Sequence, residues 1–108
     1  MPRTPRMAQL DELLALDPAD PFLRYGLGLE HASAGDDAEA ARVLRALVAD
    51  TPGYIPAYLM CAQSLARQGL EPEAAEVLRA GVAAADTAGT PDALHARGEM
   101  LGLLATLE

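Results

Sequence analysis

A thiol and an imidazole are the side chains with the greatest potential for chemistry in this sequence. Cys61 is the single cysteine, and His31 precedes it. A thiolate activated by a neighbouring imidazole is a nucleophile for group transfer. Both residues fall at inward-packing helical positions, where a buried thiol behaves as a small inert hydrophobe. His95 would be a third potential ligand, on an exposed helix. We therefore predict no catalytic residue and no metal site.

Carboxylates cluster in two short stretches, Asp36, Asp37, Glu71, Glu73 and Glu76. Paired carboxylates can do acid–base work, but these stand at the starts of predicted helices. There they interact favourably with the positive end of the helix dipole. A glycine-rich phosphate loop is also missing from the pattern, because Gly26 and Gly28 lie inside a predicted helix rather than after a strand. We predict no cofactor and no enzymatic activity.

The composition favours a small all-α protein. The chain has 108 residues, of which 23 are alanine and 18 are leucine, and aromatic residues make up only 4%. Alanine and leucine favour helices, and the scarcity of strand-forming residues disfavours a sandwich or barrel. All 8 basic residues are arginine against 16 acidic ones, a net charge of −8. Such a balance argues against nucleic acid, because phosphate binding needs a basic stripe.

Other features of the composition limit the location and partners. A single cysteine excludes an internal disulfide framework. No segment approaches the roughly 18 apolar residues of a membrane span. We therefore expect a cytoplasmic protein without a membrane partner.

A shift of 34 residues superimposes one part of the sequence on another. The matched positions are Gly35 with Gly69, Ala40-Ala41 with Ala74-Ala75, and residues 43–46 with 77–80, which share the letters Val-Leu-Arg-Ala. The same shift applied backwards places Leu10 on Leu44 and Leu13 on Leu47. A repeat of this length is the signature of a solenoid or array, here preceded by half a repeat.

Helical spacing and the residues typical of helix boundaries predict six helices. Apolar residues recur at three and four positions, as in Val43, Leu44 and Leu47, which places them on one helix face. Asp20-Pro21 and Thr90-Pro91 each read as an N-cap followed by proline at the first helical position. Helices are predicted at 6–16, 21–34, 37–50, 55–68, 72–85 and 91–106.

Two turns within the repeats contain further residues that are typical of helix boundaries. Gly35 and Gly69 stand where a helix must end and the chain turn back, a place that favours a positive φ. Asp36, with Glu39 three residues later, resembles a capping box that would begin the next helix.

The 34-residue helix-turn-helix period resembles the tetratricopeptide repeat. The residues that carry the resemblance are Leu27-Gly28, the turns Gly35-Asp36 and Gln68-Gly69, the small residues Ala40 and Ala74, Tyr58, and the closing proline Pro52. The resemblance implies one domain over 1–108: a half-repeat at 6–20, repeats at 21–54 and 55–88, and a capping helix at 91–108. Its fold would be a short right-handed α-solenoid of about six helices.

Some positions depart from the family pattern. Arg24 and His31 replace the preferred aromatic residues, Cys61-Ala62 replaces leucine-glycine, and Asp86 replaces the closing proline. The last helix fits best when Pro91 is aligned with Pro21, which requires a two-residue insertion in a loop at 86–90. Its phase stays open at this point.

By resemblance, the first helix of each pair lines a concave groove, and the protein is a non-catalytic module that binds a peptide or helix of another protein, as an adaptor or scaffold. The predicted groove residues are Phe22, Tyr25, Leu29, Ser33, Leu59, Gln63, Ala66 and Arg67. Family members that capture an acidic carboxylate terminus use lysines, which this chain lacks. A ligand with apolar anchors is therefore expected.

Two alternatives stay open. Phe22 and Tyr25 either face the groove or pack against the N-terminal helix. The function is either partner binding or, alternatively, self-association as a homo-oligomer through exposed apolar residues such as Phe22, Tyr25, Leu103 and Leu104.

Overall fold

The computed structural model describes residues 3–108, so Met1 and Pro2 of the predicted domain lie outside it. It contains six helices and no strand in these residues, which confirms the all-α prediction. They are α1 (Pro5–Leu16), α2 (Pro21–Ser33), α3 (Asp37–Asp50), α4 (Pro56–Arg67), α5 (Glu71–Ala88) and α6 (Pro91–Leu107). Each begins within one residue of its predicted start. None of these helices combines the length and the hydropathy needed to cross a bilayer.

Local hydrogen bonding explains most of the boundaries. The Asp20 carboxylate accepts a bond from the backbone N–H of Phe22 at 2.9 Å, and the Thr90 hydroxyl accepts one from Ala93 at 3.1 Å. These side chains satisfy amide groups that have no partner within the helix. Gly35 and Gly69 have φ values of 83° and 77°, the left-handed conformation that glycine adopts without strain.

The predicted capping box at the start of α3 is only half present. The Asp36 side chain accepts from the backbone N–H of Glu39 at 3.3 Å, as expected. The Glu39 carboxylate does not return to the cap, because it pairs with the guanidinium of Arg42 one turn later. This ion pair lowers the pKa of Glu39, chiefly through the hydrogen bond from Arg42.

Helix α5 is longer than predicted. We expected it to end near residue 85 and be followed by a loop, but it continues to Ala88 and stops at Gly89, which has φ 65°. Alanine dominates this stretch, and the Thr87 hydroxyl donates to the carbonyl of Ala83 at 3.1 Å, so nothing before Gly89 breaks the helix. The two extra residues of the predicted loop are therefore absorbed as helix.

The helices form a curved stack with an inner and an outer row. Each helix packs against its successor, and α2 also contacts α4, which contacts α6. Within residues 3–108 no pair of Cα atoms within 8 Å joins α1 to α3 or α3 to α5. The even-numbered helices are thus closer together, so they form the inner, concave side of a short α-solenoid.

A glycine permits the close packing of the first complete helix pair. A Cβ atom built on Gly28 would lie 2.6 Å from Cγ of Leu44, closer than real Cβ atoms approach. Leu44 is fully buried, as are Leu47 and Leu78 on the outer row. The leucine-glycine pair of the sequence therefore brings α2 and α3 into contact.

Candidate protein-binding surface

Three of the predicted groove residues meet at one end of the stack. Phe22, Tyr25 and Leu29 lie on α2 and border a mainly apolar cavity of about 310 Å³ between α1 and α2. We call it the N-terminal cavity. Its lining is Arg6, Gln9, Leu10, Leu13, Phe22, Leu23, Tyr25, Gly26 and Leu29. One wall is therefore α1, which the sequence interpretation did not assign to the site.

The other five predicted residues lie outside this cavity, on the end of α2 and on α4. They are Ser33, Leu59, Gln63, Ala66 and Arg67. Leu59 and Ala66 are partly buried against the core, Gln63 is half-buried, and Ser33 is exposed. The structure thus divides the predicted site into three residues beside the N-terminal cavity and five residues outside it.

Phe22 and Tyr25 differ in their surroundings. Phe22 is 69% exposed, so it is not a core residue. Tyr25 packs partly against the core, and its ring centre lies 5.4 Å from that of Tyr54, with the planes inclined at 55°. Burial, and then the neighbouring Tyr54, raise the pKa of Tyr25. The hydroxyl, which is protonated at neutral pH even at the ordinary tyrosine pKa, remains a hydrogen-bond donor.

Arg67 has a structural partner. Its Nε donates to the Asp37 carboxylate at 2.9 Å, and its Nη2 lies 3.2 Å from the Ser64 hydroxyl. The neighbouring Gln68 amide donates to the backbone carbonyl of Asp37 at 3.2 Å. These bonds tie the end of α4 to the start of α3, so part of the hydrogen-bonding capacity predicted for a ligand is already used.

The 34-residue repeat contained a signal that α1 forms one wall of the N-terminal cavity. The 34-residue shift aligns Leu13 of α1 with Leu47 of α3, which is fully buried, whereas Leu13 is 48% exposed. An apolar residue that is buried in one repeat and exposed in the equivalent one marks an uncovered packing face. Comparing the repeats by expected burial would have assigned α1 to the site.

The thiol and imidazole do not form a reactive pair. Cys61 is fully buried, and its Sγ lies 3.8 Å from the carbonyl oxygen of Ala41. Within residues 3–108 no hydrogen bond joins it to His31, which is also buried. Burial raises the pKa of the Cys61 thiol to about 11, which disfavours the nucleophilic thiolate. The exposed His95 lies 3.6 Å from Glu99, and the described chain contains no metal-binding cluster.

This environment predicts slow thiol chemistry. We expect Cys61 in the folded protein at pH 7 to react with a disulfide reagent at least ~100-fold more slowly than in denaturant, because only the thiolate reacts. With the thiol pKa near 11, the rate in the folded state should rise about tenfold per pH unit between pH 7 and 9. Stopped-flow absorbance measures both quantities. Fast reaction at pH 7 with intact helicity would revive the nucleophile hypothesis.

No protein-family model matches this chain, and no curated protein matches it significantly. Among solved structures, PcrH in complex with the chaperone-binding region of PopD shares 18% identity over 94% of this chain and 74% of that chain, with a TM-score of 0.84. The type III secretion translocator chaperone SycD of Yersinia enterocolitica also shares 18%, over 94% and 68%, with a TM-score of 0.84.

A third similar structure has a higher sequence identity to this chain. The tetratricopeptide repeat domain protein of Salinibacter ruber, solved by NMR, shares 25% identity over 84% of this chain and 89% of that chain, with a TM-score of 0.75. The helix pairs and these similarities define the class as an all-α repeat fold. The fold is that of a small tetratricopeptide-repeat-like domain.

Proposed function

We propose that this protein is a non-catalytic interaction module that binds a segment of a partner protein along the inner face of α2 and α4. The observation that carries the proposal is the similarity to PcrH, whose solved structure contains the chaperone-binding region of PopD. That fold superposes on 94% of this chain. A stack of this shape therefore has a solved counterpart that holds a partner's segment.

The side chains of the inner face suit apolar anchors. Tyr25, Leu29 and Leu59 are partly exposed on rigid helices, so burying the rest of their surface would favour binding without much loss of side-chain freedom. Gln63 lies one turn after Leu59 on α4 and can hydrogen-bond to a peptide backbone. Since the chain has no lysine, we do not expect capture of an acidic carboxylate terminus. An amphipathic helix or extended peptide with apolar side chains fits better.

The short stack limits the affinity. Two inner helices spaced ~10 Å apart, with their flanks, can contact about 5 to 8 extended residues at ~3.3 Å each. Such an interface is small, and a micromolar Kd or weaker is expected. A role as an adaptor or scaffold in the cytoplasm, without a cofactor, belongs to the same proposal. The fully buried thiol, with its raised pKa, is compatible with it.

The anchor residues provide the test. Tyr25→Ala should weaken partner binding by about 1–2 kcal/mol, which is about 5- to 30-fold in Kd, because it removes a rigid aromatic contact. We would isolate partners from native lysate with wild type, with the Tyr25→Ala/Leu29→Ala double variant, and with Leu70→Ala, which changes an exposed leucine in the α4–α5 turn. The partner should be retained by wild type and Leu70→Ala and lost by the double variant.

Circular dichroism separates binding from folding in this experiment. The double variant should keep its helicity and melt cooperatively. If it is unfolded at room temperature, Tyr25 and Leu29 are core residues and the proposed surface is wrong. Equal retention of the partner by all three proteins would also contradict the proposal.

A further inference from the structure

The exposed large apolar residues are concentrated at the two ends of the stack. Leu13, Leu16 and Phe22 lie on α1 and α2, and Leu94 and Leu101 lie on α6. Leu16 is 85% exposed and Leu94 is 49% exposed. The alternative sequence prediction named Leu103 and Leu104 as exposed contacts, but both pack against the core. The uncovered surface of α6 is therefore the opposite face.

At the N-terminal end of residues 3–108, one face of α1 is only partly covered by a neighbouring helix. Leu10 and Leu13 of α1 correspond to Leu44 and Leu47 of α3 through the 34-residue shift. Helix α2 packs on α3, with Gly28 directly against Leu44. Leu10 is already buried beside Gly26 of α2, but Leu13 on the same face is 48% exposed, and the N-terminal cavity lies there. The cavity is thus the place where a helix equivalent to α2 would pack.

At the C-terminal end of residues 3–108, one face of α6 is exposed. Aligning Pro91 with Pro21 places Leu94, Gly98 and Leu101 of α6 on the α2 positions 24, 28 and 31, which face α3. The equivalent residues of α4, at 58, 62 and 65, are buried. On α6 the same face is exposed, and a Cβ built on Gly98 would meet no atom within 4 Å. It is an apolar face with space for the close approach of a helix.

Each end supplies what the other lacks. Helix α6 is an inner-row helix with no outer-row helix after it in the described chain, and α1 is an outer-row helix with no inner-row helix before it. We propose that α6 of one copy docks in the N-terminal cavity of a second copy and pairs with its α1. This contact would continue the α2–α3 and α4–α5 interfaces from one copy to the next.

The register of this contact pairs exposed apolar residues. In the α2–α3 interface, Nη2 of Arg24 lies 3.0 Å from a carboxylate oxygen of Asp50. The corresponding residues of the junction are Leu94 of one copy and Leu16 of the other. The proposed junction would therefore have two leucines where the α2–α3 interface has an ion pair. Both leucines are exposed to water in a single copy, so burying them favours association.

Charge and polarity weaken the junction and give it a salt dependence. Arg6 and Gln9 stand in α1 where α3 has Ala40 and Val43, so the copied interface is more polar than the internal one. Each chain carries a net charge of −8, so two copies repel each other. Salt screens this repulsion. We therefore expect association in the micromolar range or weaker that strengthens as salt is added.

A junction of unlike ends distinguishes this arrangement from a symmetric dimer. Because the contacting patches differ, each associated copy still presents a free end, and association continues beyond two copies. We would test it with Leu16→Arg, which blocks the N-terminal end, and Leu94→Arg, which blocks the C-terminal end. Both residues are exposed, so each variant should fold with the helicity and melting temperature of wild type.

The experiment is sedimentation velocity from ~10 µM to ~1 mM at low and high salt. The average mass of wild type should rise continuously with concentration, and each variant alone should stay at the 11.3 kDa of one chain. An equimolar mixture of the two variants should form a species of two chains and no larger, since each retains one intact end. Mutual rescue on mixing is the expected result.

Other results would overturn the inference. A wild type that remains monomeric at ~1 mM and high salt excludes the junction. A mixture that fails to associate, or a wild type that stops at two copies, indicates a different interface. Neither variant changes a residue of α2 or α4, so Leu94→Arg should still retain the partner of the proposed function. The two proposals can therefore fail separately.

Discussion

Leu44→Ala is expected to lower the free energy of unfolding by about 2–5 kcal/mol. Leu44 lies on α3 and is fully buried, and its side chain packs on Gly28 of α2. Truncation removes buried apolar surface and leaves a cavity. The helices can fill this cavity only in part, because they already lie close together at Gly28. For a domain of this size that loss is a large part of the total stability.

Urea denaturation monitored by circular dichroism measures this effect. Leu16→Ala is the matched control, because it makes the same chemical change at a residue that is 85% exposed. It should alter stability by no more than ~0.5 kcal/mol at a protein concentration where the chain is monomeric. Similar losses for the two variants would show that the described core does not hold the fold together.

Gly81→Ala should also destabilise the protein, although alanine is the better helix former. A Cβ at this position would lie 2.5 Å from the sulfur of Met100 and 2.7 Å from Cβ of Tyr58. Tyr58 cannot move freely, because it is buried and its hydroxyl donates to the Pro52 carbonyl at 2.6 Å. The overpacking should exceed the gain of up to ~1 kcal/mol in helix propensity and leave a net loss of about 1–3 kcal/mol.

Gly102→Ala, on the neighbouring helix α6, should instead stabilise the protein. No atom lies within 4 Å of a Cβ built there, and the residue is exposed on α6. Only the helix propensity changes, so the variant should gain about 0.5–1 kcal/mol. Thermal melting at low protein concentration compares the two. A stabilising Gly81→Ala would mean that α4, α5 and α6 are packed less closely than described.

The positions of the helices were predictable because the signals that start them are local. Asp20 and Thr90 cap their helices within three residues along the chain, so the sequence shows both partners of each bond. The end of α5 was missed although the alanines at 83–85 and 88 favour helix, since the first residue that stops the helix is Gly89. The second half of the Asp36 capping box was missed because Arg42 competes for Glu39.

The candidate site was predictable only in part. The resemblance to the tetratricopeptide repeat placed Phe22, Tyr25 and Leu29 on the groove side of α2, and the structure brings these three together. The resemblance did not predict that Arg67 would be held by Asp37, since that contact spans two helices. Whether the inner face binds a partner stays a prediction.

The sequence by itself determined the number of helices, the 34-residue period and the residues of each apolar face, because all of these depend on neighbours along the chain. Only the tertiary structure decided which apolar faces are covered. Leu13 and Leu47 occupy equivalent positions in the period, yet Leu47 is buried and Leu13 is half-exposed. Burial depends on which helices stand beside a face, and the ends of a stack have one neighbour fewer. The surfaces available for binding arise from that difference.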